Sequence, residues 1–119
     1  MDPLYTDTAA VTLKNYFYRH VLYTVKETGV QLVLMSLLPG EEIGMEVHPS
    51  TTQFIRIESG NGHAIIGNKK YYLAENISIV IPPGIEHNIV NIGEKMMKLY
   101  TIYSGKLEHA EGLIEKVKT

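Results

Sequence analysis

Cysteine is absent from the 119 residues, which removes disulfides, thiolate metal ligands and thiol nucleophiles together. Any metal bound by this chain must therefore be held by nitrogen and oxygen. An excess of one charge is missing too. The 11 Lys and Arg are mixed with 13 Asp and Glu for a net charge of -2, so there is no basic footprint for a phosphate backbone, and nucleic acid is not expected as a partner. Long apolar runs are lacking: the longest, Leu32 to Leu38, is interrupted by Ser36 and stopped by Pro39-Gly40, far short of the ~20 residues of a membrane span. Met1 to Ala10 carries Asp2 and Asp7 and has neither a basic nor an apolar region. Nothing there resembles a secretory signal, and a soluble, cytoplasmic protein with no membrane partner is expected. Repeats, linkers and low-complexity segments are also absent. The length fits one domain, and 45% hydrophobic residues suffice for one core without covalent staples.

What is present is strand-like. Short runs rich in Val, Ile, Tyr and Thr are separated by Gly, Pro and Asn, the residues that turns demand. The runs Tyr16–Val25, Val30–Leu38, Ile43–Val47, Gln53–Ser59, His63–Ile66, Lys70–Leu73, Ile77–Ile81, His87–Asn91 and Met97–Tyr103 are predicted as strands. An all-β barrel or sandwich follows. Only the tail from Lys106 to Thr119 offers a helical pattern, through Leu113, Ile114 and Val117, and Gly112 weakens it; a loose arm is the alternative.

The chemistry concentrates in two stretches, Gly40 to Gly60 and Pro82 to Asn91. Glu46 and His48 are two apart on a predicted strand, so their side chains leave the same face with Cα atoms about 6–7 Å apart, close enough to converge on one ion. Gln53 opens the next strand and alternates inward with Ile55 and Ile57, leaving Phe54, Arg56 and Glu58 on the opposite face. His87 follows the Pro82-Pro83-Gly84 turn at the head of another strand. Taken singly, each has an ordinary reading as surface or loop decoration, and together they can equally form a hydrogen-bonded polar cluster inside a barrel. His20, His63 and His109 show no ligand spacing with a partner and read as surface or structural histidines. Asn91 reads as a brace for the turn before His87.

The spacings Gly40-x5-Glu46-x-His48-x4-Gln53-x6-Gly60 and Pro82-Pro83-Gly84-x2-His87-x3-Asn91 resemble the two signature motifs of the cupin superfamily. The first of these runs Gly, five residues, His-x-His, three or four residues, Glu, six residues, Gly; the second is Pro-x-Gly-x2-His-x3-Asn. The resemblance implies a cupin double-stranded β-helix, that is a jelly-roll barrel, in a single domain spanning 1–119. Its barrel core covers roughly 30–104, with an N-terminal arm and strand in 1–29 and a short C-terminal tail in 105–119. It also implies a metal site of Glu46, His48, Gln53 and His87. Two of the four depart from the common pattern: Glu46 stands where the family has its first His, and Gln53 where it has Glu. The departures compensate, since one carboxylate is lost and one gained.

Two imidazoles, a carboxylate and an amide oxygen suit Zn²⁺, Mn²⁺, Fe²⁺, Co²⁺ or Ni²⁺ and disfavour Cu(I). The ligand inventory looks like that of the cupin-type mannose-6-phosphate isomerases, which implies metal-assisted proton transfer in a sugar or sugar phosphate. Arg19 and Lys98 are then candidates for a phosphate grip, while no catalytic base can be named. Two His and one carboxylate equally meet the requirement of a non-haem Fe(II) dioxygenase. In that case Tyr100 and Tyr103 on the following strand are candidates to touch substrate. A non-catalytic module that binds a small molecule is the third class. In resembling cupins the N-terminal strand often pairs with a second subunit, so the apolar run Tyr16–Val25 implies a homodimer.

Overall fold

The computed structural model describes residues 4–117; residues 1–3 and 118–119, at the far ends of the expected arm and tail, lie outside the described residues. The chain forms α1 (Thr8–Lys14), β1 (Phe17–Val25), β2 (Val30–Leu37), β3 (Thr52–Ser59), β4 (Gly62–Ile66), β5 (Lys69–Leu73), β6 (Ser78–Ile81), β7 (His87–Asn91), β8 (Met97–Ser104) and β9 (Ile114–Lys116). Six antiparallel strands make one sheet in the order β6-β3-β8-β2-β1-β9, and β5-β4-β7 make a second. Both sheets feed one core, with Val33, Met35, Leu37, Ile55, Ile57 and Leu99 from the first and Ala64, Leu73 and Ile89 from the second. This is the all-β jelly-roll expected. Among the described residues no helix is long and apolar enough to cross a membrane.

Period-2 alternation sets what faces inward. In β3, Gln53, Ile55 and Ile57 are buried while Phe54, Arg56 and Glu58 lie on the partly exposed row. Their partners across the ladder to β8 are Tyr103, Thr101 and Leu99, all fully buried. The outer face of β2 and β8 is covered by the N-terminal segment. Asp7 caps α1 by accepting from the Ala10 N–H (3.1 Å), and Asn15 ends it. The Asn15 carbonyl accepts from Ser36 Oγ (2.6 Å) and from the Lys98 ammonium, and its amide donates to the Phe17 carbonyl (2.9 Å). Lys98 also sits over the Tyr16 ring, 3.7 Å from its centroid, and burial lowers its pKa.

Four details depart from the sequence expectations. The helix lies at the N-terminus and not in the tail. Residues 43–47 do not form a strand; the segment touches β7 through two isolated bridges, Glu42 to Val90 and Glu46 to His87. Between them Gly44 takes φ +104°, and its N–H is taken by Asn88 Oδ1 (2.9 Å). Asn91 braces the loop after its strand instead of the turn before His87, donating to the Leu37 and Lys95 carbonyls and accepting from the Gly93 N–H, each at 2.9 Å. Finally, the tail is neither helix nor loose arm. Its strand β9 pairs with β1, matching Arg19 to Glu115 and His20 to Ile114, while Leu113 and Val117 pack on the core. The β1 edge on which a second subunit was expected to pair is thus filled by the chain's own tail.

Candidate metal centre

The irregular segment 40–46 and β7 together place the first two candidate ligands. Glu46 and His87 are direct cross-strand partners: the Glu46 N–H donates to the His87 carbonyl (2.8 Å) and the His87 N–H to the Glu46 carbonyl (2.9 Å). Two residues on, the His48 carbonyl accepts from the Gly84 N–H (2.9 Å), which fastens the Pro-Pro-Gly turn beside the ligand segment. One ligand atom each from Glu46, His48 and His87 lie within 4.8 Å of one another. The two imidazole rings have centroids 5.2 Å apart, and His48 Nε2 is 3.6 Å from Glu46 Oε1. Gln53 enters from the other sheet at 1% exposure. Its Nε2 donates to Thr101 Oγ1 (3.1 Å) and to the Tyr103 hydroxyl (3.3 Å), and the Tyr103 ring meets His48 edge-on, centroids 5.6 Å apart.

The hydrogen bonds fix which ring nitrogen is free. His87 Nδ1 lies 2.9 Å from the Ile85 carbonyl, which can only accept, so Nδ1 carries the proton and Nε2 keeps its lone pair. His48 Nδ1 lies 2.9 Å from Glu108 Oε1, with the same consequence. The atoms left over are His48 Nε2, His87 Nε2, Glu46 Oε1 and Gln53 Oε1, all buried and all without a hydrogen-bond partner among the described residues. Buried acceptors normally have donors. Unpartnered acceptors on the very four residues singled out by spacing fit a divalent cation held by nitrogen and oxygen, whereas a self-satisfied polar cluster would have paired them.

Behind this group lies a second layer that the sequence did not disclose. Glu108 accepts from Thr51 Oγ1 (2.6 Å) as well as from His48. The His109 Nε2 is 3.3 Å from the Tyr103 hydroxyl. Burial holds the His109 imidazole down to about 4, with the Arg19 guanidinium adding to the effect, so the ring is neutral at neutral pH. Burial pushes the Tyr103 hydroxyl well above the usual phenol range, and the Glu46 carboxylate reinforces this. Tyr103 therefore stays protonated; it accepts from Gln53 Nε2, and its hydroxyl is paired with His109 Nε2. Tyr100 is three residues away on the same strand and so faces outward, opposite Arg56 and against the Phe54 ring; the structure does not bring it to the cluster. Arg56 is outside with Asn76, as expected; of the two basic candidates, Lys98 is under α1. Arg19 is 8% exposed, paired across β1–β2 with the inward Met35, and bonded to Glu115.

The chain belongs to the cupin family: the Cupin_2 family model, a cupin domain, matches residues 33–103. It is 46% identical over 108 residues to the uncharacterized protein L612 of Acanthamoeba polyphaga mimivirus, covering 87% of this chain and 66% of L612. It is 37% identical to the uncharacterized protein YrkC of Bacillus subtilis, covering 98% of this chain and 64% of YrkC. The chain thus spans about two thirds of the length of these relatives. The crystal structure of BH2720 from Bacillus halodurans superimposes with a TM-score of 0.91 at 32% identity, over 98% of this chain and 90% of that one. A shorter match, 29% identical over 85 residues, covers 70% of this chain but 18% of the mannose-1-phosphate guanylyltransferase RfbM of Salmonella typhimurium.

Proposed function

We propose that the chain is a metal-dependent cupin in which Glu46, His48, Gln53 and His87 hold one divalent ion, and that it acts as an isomerase on a small sugar or sugar-phosphate metabolite. The observation that carries the reading is the set of buried acceptors without donors, one on each of those residues. Such an ion supplies Lewis acidity toward the adjacent carbonyl and hydroxyl oxygens of an open-chain substrate. The chain's own groups do the rest. The two histidines are held in one tautomer by Ile85 and Glu108, and the protonated Tyr103, wired to His109, is the group that can hold a proton beside the substrate. The candidate for an anionic group on the substrate is Arg19, which is ion-paired with Glu115 through one terminal nitrogen and keeps a buried Nε with no partner among the described residues. The partial likeness to RfbM, whose name carries a sugar phosphate, points the same way.

A second reading, Fe²⁺-dependent dioxygenation, rests on the trio Glu46, His48 and His87, which is the two-His, one-carboxylate set of that chemistry. Elemental analysis of protein purified without added metal or chelator, beside the Glu46→Ala and His48→Ala variants, tests both. Near-stoichiometric metal that vanishes in the variants is expected, and turnover with Zn²⁺ or Mn²⁺ in the absence of O₂ selects isomerisation. Iron with strict O₂ dependence selects the second reading. No metal after reconstitution ends both and leaves a binding module. A homodimer stays part of the proposal, through a face and not the β1 edge; Leu13, Tyr16 and Phe17 are exposed apolar side chains beside α1. Sedimentation velocity tests it, and a monomer at micromolar concentration ends it.

A further inference from the structure

The carboxylate on His48 comes from far along the chain. Glu108 is 60 residues away in sequence, in the loop between β8 and β9, and its side chain is 17% exposed. Three independent holds bring it there. Gly105 takes φ +135° and runs so close to Ser50 that an added Cβ would stand 2.3 Å from the Ser50 carbonyl oxygen. The fully buried Gln31 then clamps the backbone of the loop. Its Oε1 accepts from the Glu108 N–H (3.2 Å) and the His109 N–H (3.1 Å), and its Nε2 donates to the His109 carbonyl (2.9 Å). Beyond the loop, β9 seals the tail to β1, with the Val21 N–H donating to the Leu113 carbonyl (2.8 Å). A buried amide committed to clamping two successive N–H groups and a carbonyl is a costly way to order an idle loop. What the clamp delivers is one carboxylate, whose two oxygens take the His48 Nδ1–H and the Thr51 hydroxyl.

We infer that Glu108 is a positioning residue of the metal centre: the C-terminal tail delivers it to His48, where it fixes the tautomer and ring orientation that aim Nε2 at the ion. The inference rests on the metal reading above and assigns the tail a part in it. A carboxylate on the distal nitrogen of a ligating imidazole raises its basicity and holds its ring, and losing such a partner typically costs about 10- to 100-fold in metal affinity. Glu108→Gln separates the two contributions. Its amide oxygen can still accept from Nδ1–H while its –NH₂ meets Thr51, so orientation survives and charge does not. Glu108→Ala removes both. Gln31→Leu touches no ligand but frees the backbone at 108–109, and is expected to weaken binding in the same direction as Glu108→Ala.

The test is Co²⁺ titration by absorbance and Zn²⁺ competition against a chromophoric chelator on the full chain. Alongside these, long-range ¹H–¹⁵N imidazole spectra of the metal-free protein report the His48 tautomer. A purely structural role for Glu108 would not move that tautomer. Expected are an affinity loss of at least tenfold with a mixed His48 tautomer in Glu108→Ala, and an intermediate affinity with the Nδ1–H tautomer retained in Glu108→Gln. Glu111→Ala, which removes only an exposed partner of Lys26, should match the unmodified protein. If Glu108→Ala does not fold, Glu108→Gln decides alone. Affinities for the Glu108 variants within twofold of the unmodified protein overturn the inference and leave the metal site standing. An unmodified protein that binds neither ion overturns the metal reading itself, and this inference falls with it.

Discussion

The His87 side chain is buried against the His48 ring and has few polar ties to the rest of the fold. Among the described residues that side chain makes one hydrogen bond, to the Ile85 carbonyl two residues back, while the His87 backbone is pinned by Glu46. His87→Ala is therefore expected to abolish metal binding while keeping the far-ultraviolet circular dichroism of the folded protein, at the cost of a lower metal-free melting temperature from the cavity it leaves; full occupancy in that variant would remove His87 from the ligand set. His109 yields a pH prediction. Its folded pKa of about 4 lies below the ordinary 6.5 because of burial and of Arg19, opposed by Glu108 and Glu115. Between those values the unfolded chain binds a proton that the folded one does not, so stability rises with pH and is lost as the pH falls from about 6.5 towards 4. His109→Gln should flatten melting temperature against pH across that window. These residues were unevenly legible. Glu46, His48, Gln53 and His87 stood out because their types and spacing repeat a motif. Glu108 carried no such mark, since nothing in a sequence links an acid to a histidine 60 positions earlier. Tyr100 and Tyr103 are separated by an odd number of positions on one strand, and period 2 alone puts them on opposite faces.

The strands β2, β3 and β8 are readable almost to their ends, β3 from its clean alternation and β2 and β8 from β-rich apolar runs bounded by turn residues. Elements whose pattern fits two periods are not. Leu113 and Val117 are four apart, which satisfies one face of a helix and one face of a strand equally, and only pairing with β1 decides between them. The helix α1 left a signal that could have been used, Asp7 as a cap just ahead of Ala9-Ala10. The run 43–47 has the composition of a continuous strand, and the φ of +104° at Gly44 that breaks it leaves no mark in the sequence. Two element-level outcomes follow. Asn15 links α1 to Ser36 on β2 and, through its carbonyl, to Lys98 on β8. Because Asn15→Ala strips the buried Ser36 hydroxyl and the Phe17 carbonyl of a donor, it should cost about 1–3 kcal/mol by urea denaturation. Gly105→Ala drives a methyl group against the Ser50 carbonyl at a φ that L-residues avoid, and backbone there has no room to give. The loop carrying Glu108 should shift, so metal affinity should fall together with the melting temperature in the same denaturation and titration series.

The molecule as a whole places its candidate ligands on separate structures: Glu46, His48 and His87 on the small sheet and the segment bonded to it, and Gln53 on the large sheet, while Glu108, which holds His48, comes from the loop before β9. An ion bound by the folded form alone raises stability by about 2.7 kcal/mol at a hundredfold excess over Kd, which in a domain of this size moves the melting temperature on the order of 10 °C. Scanning calorimetry with Zn²⁺ and then with a chelator should show that difference, and coincident melts would contradict it. A chain without cysteine cannot tie its two sheets together covalently. An ion gripped by Glu46 and His87 on one side and Gln53 on the other would be that tie, one that can be fastened and undone within the lifetime of the folded protein. The rate at which the sheets part, and with it resistance to proteolysis, would then be set by the free metal concentration around the molecule instead of by its amino-acid sequence alone.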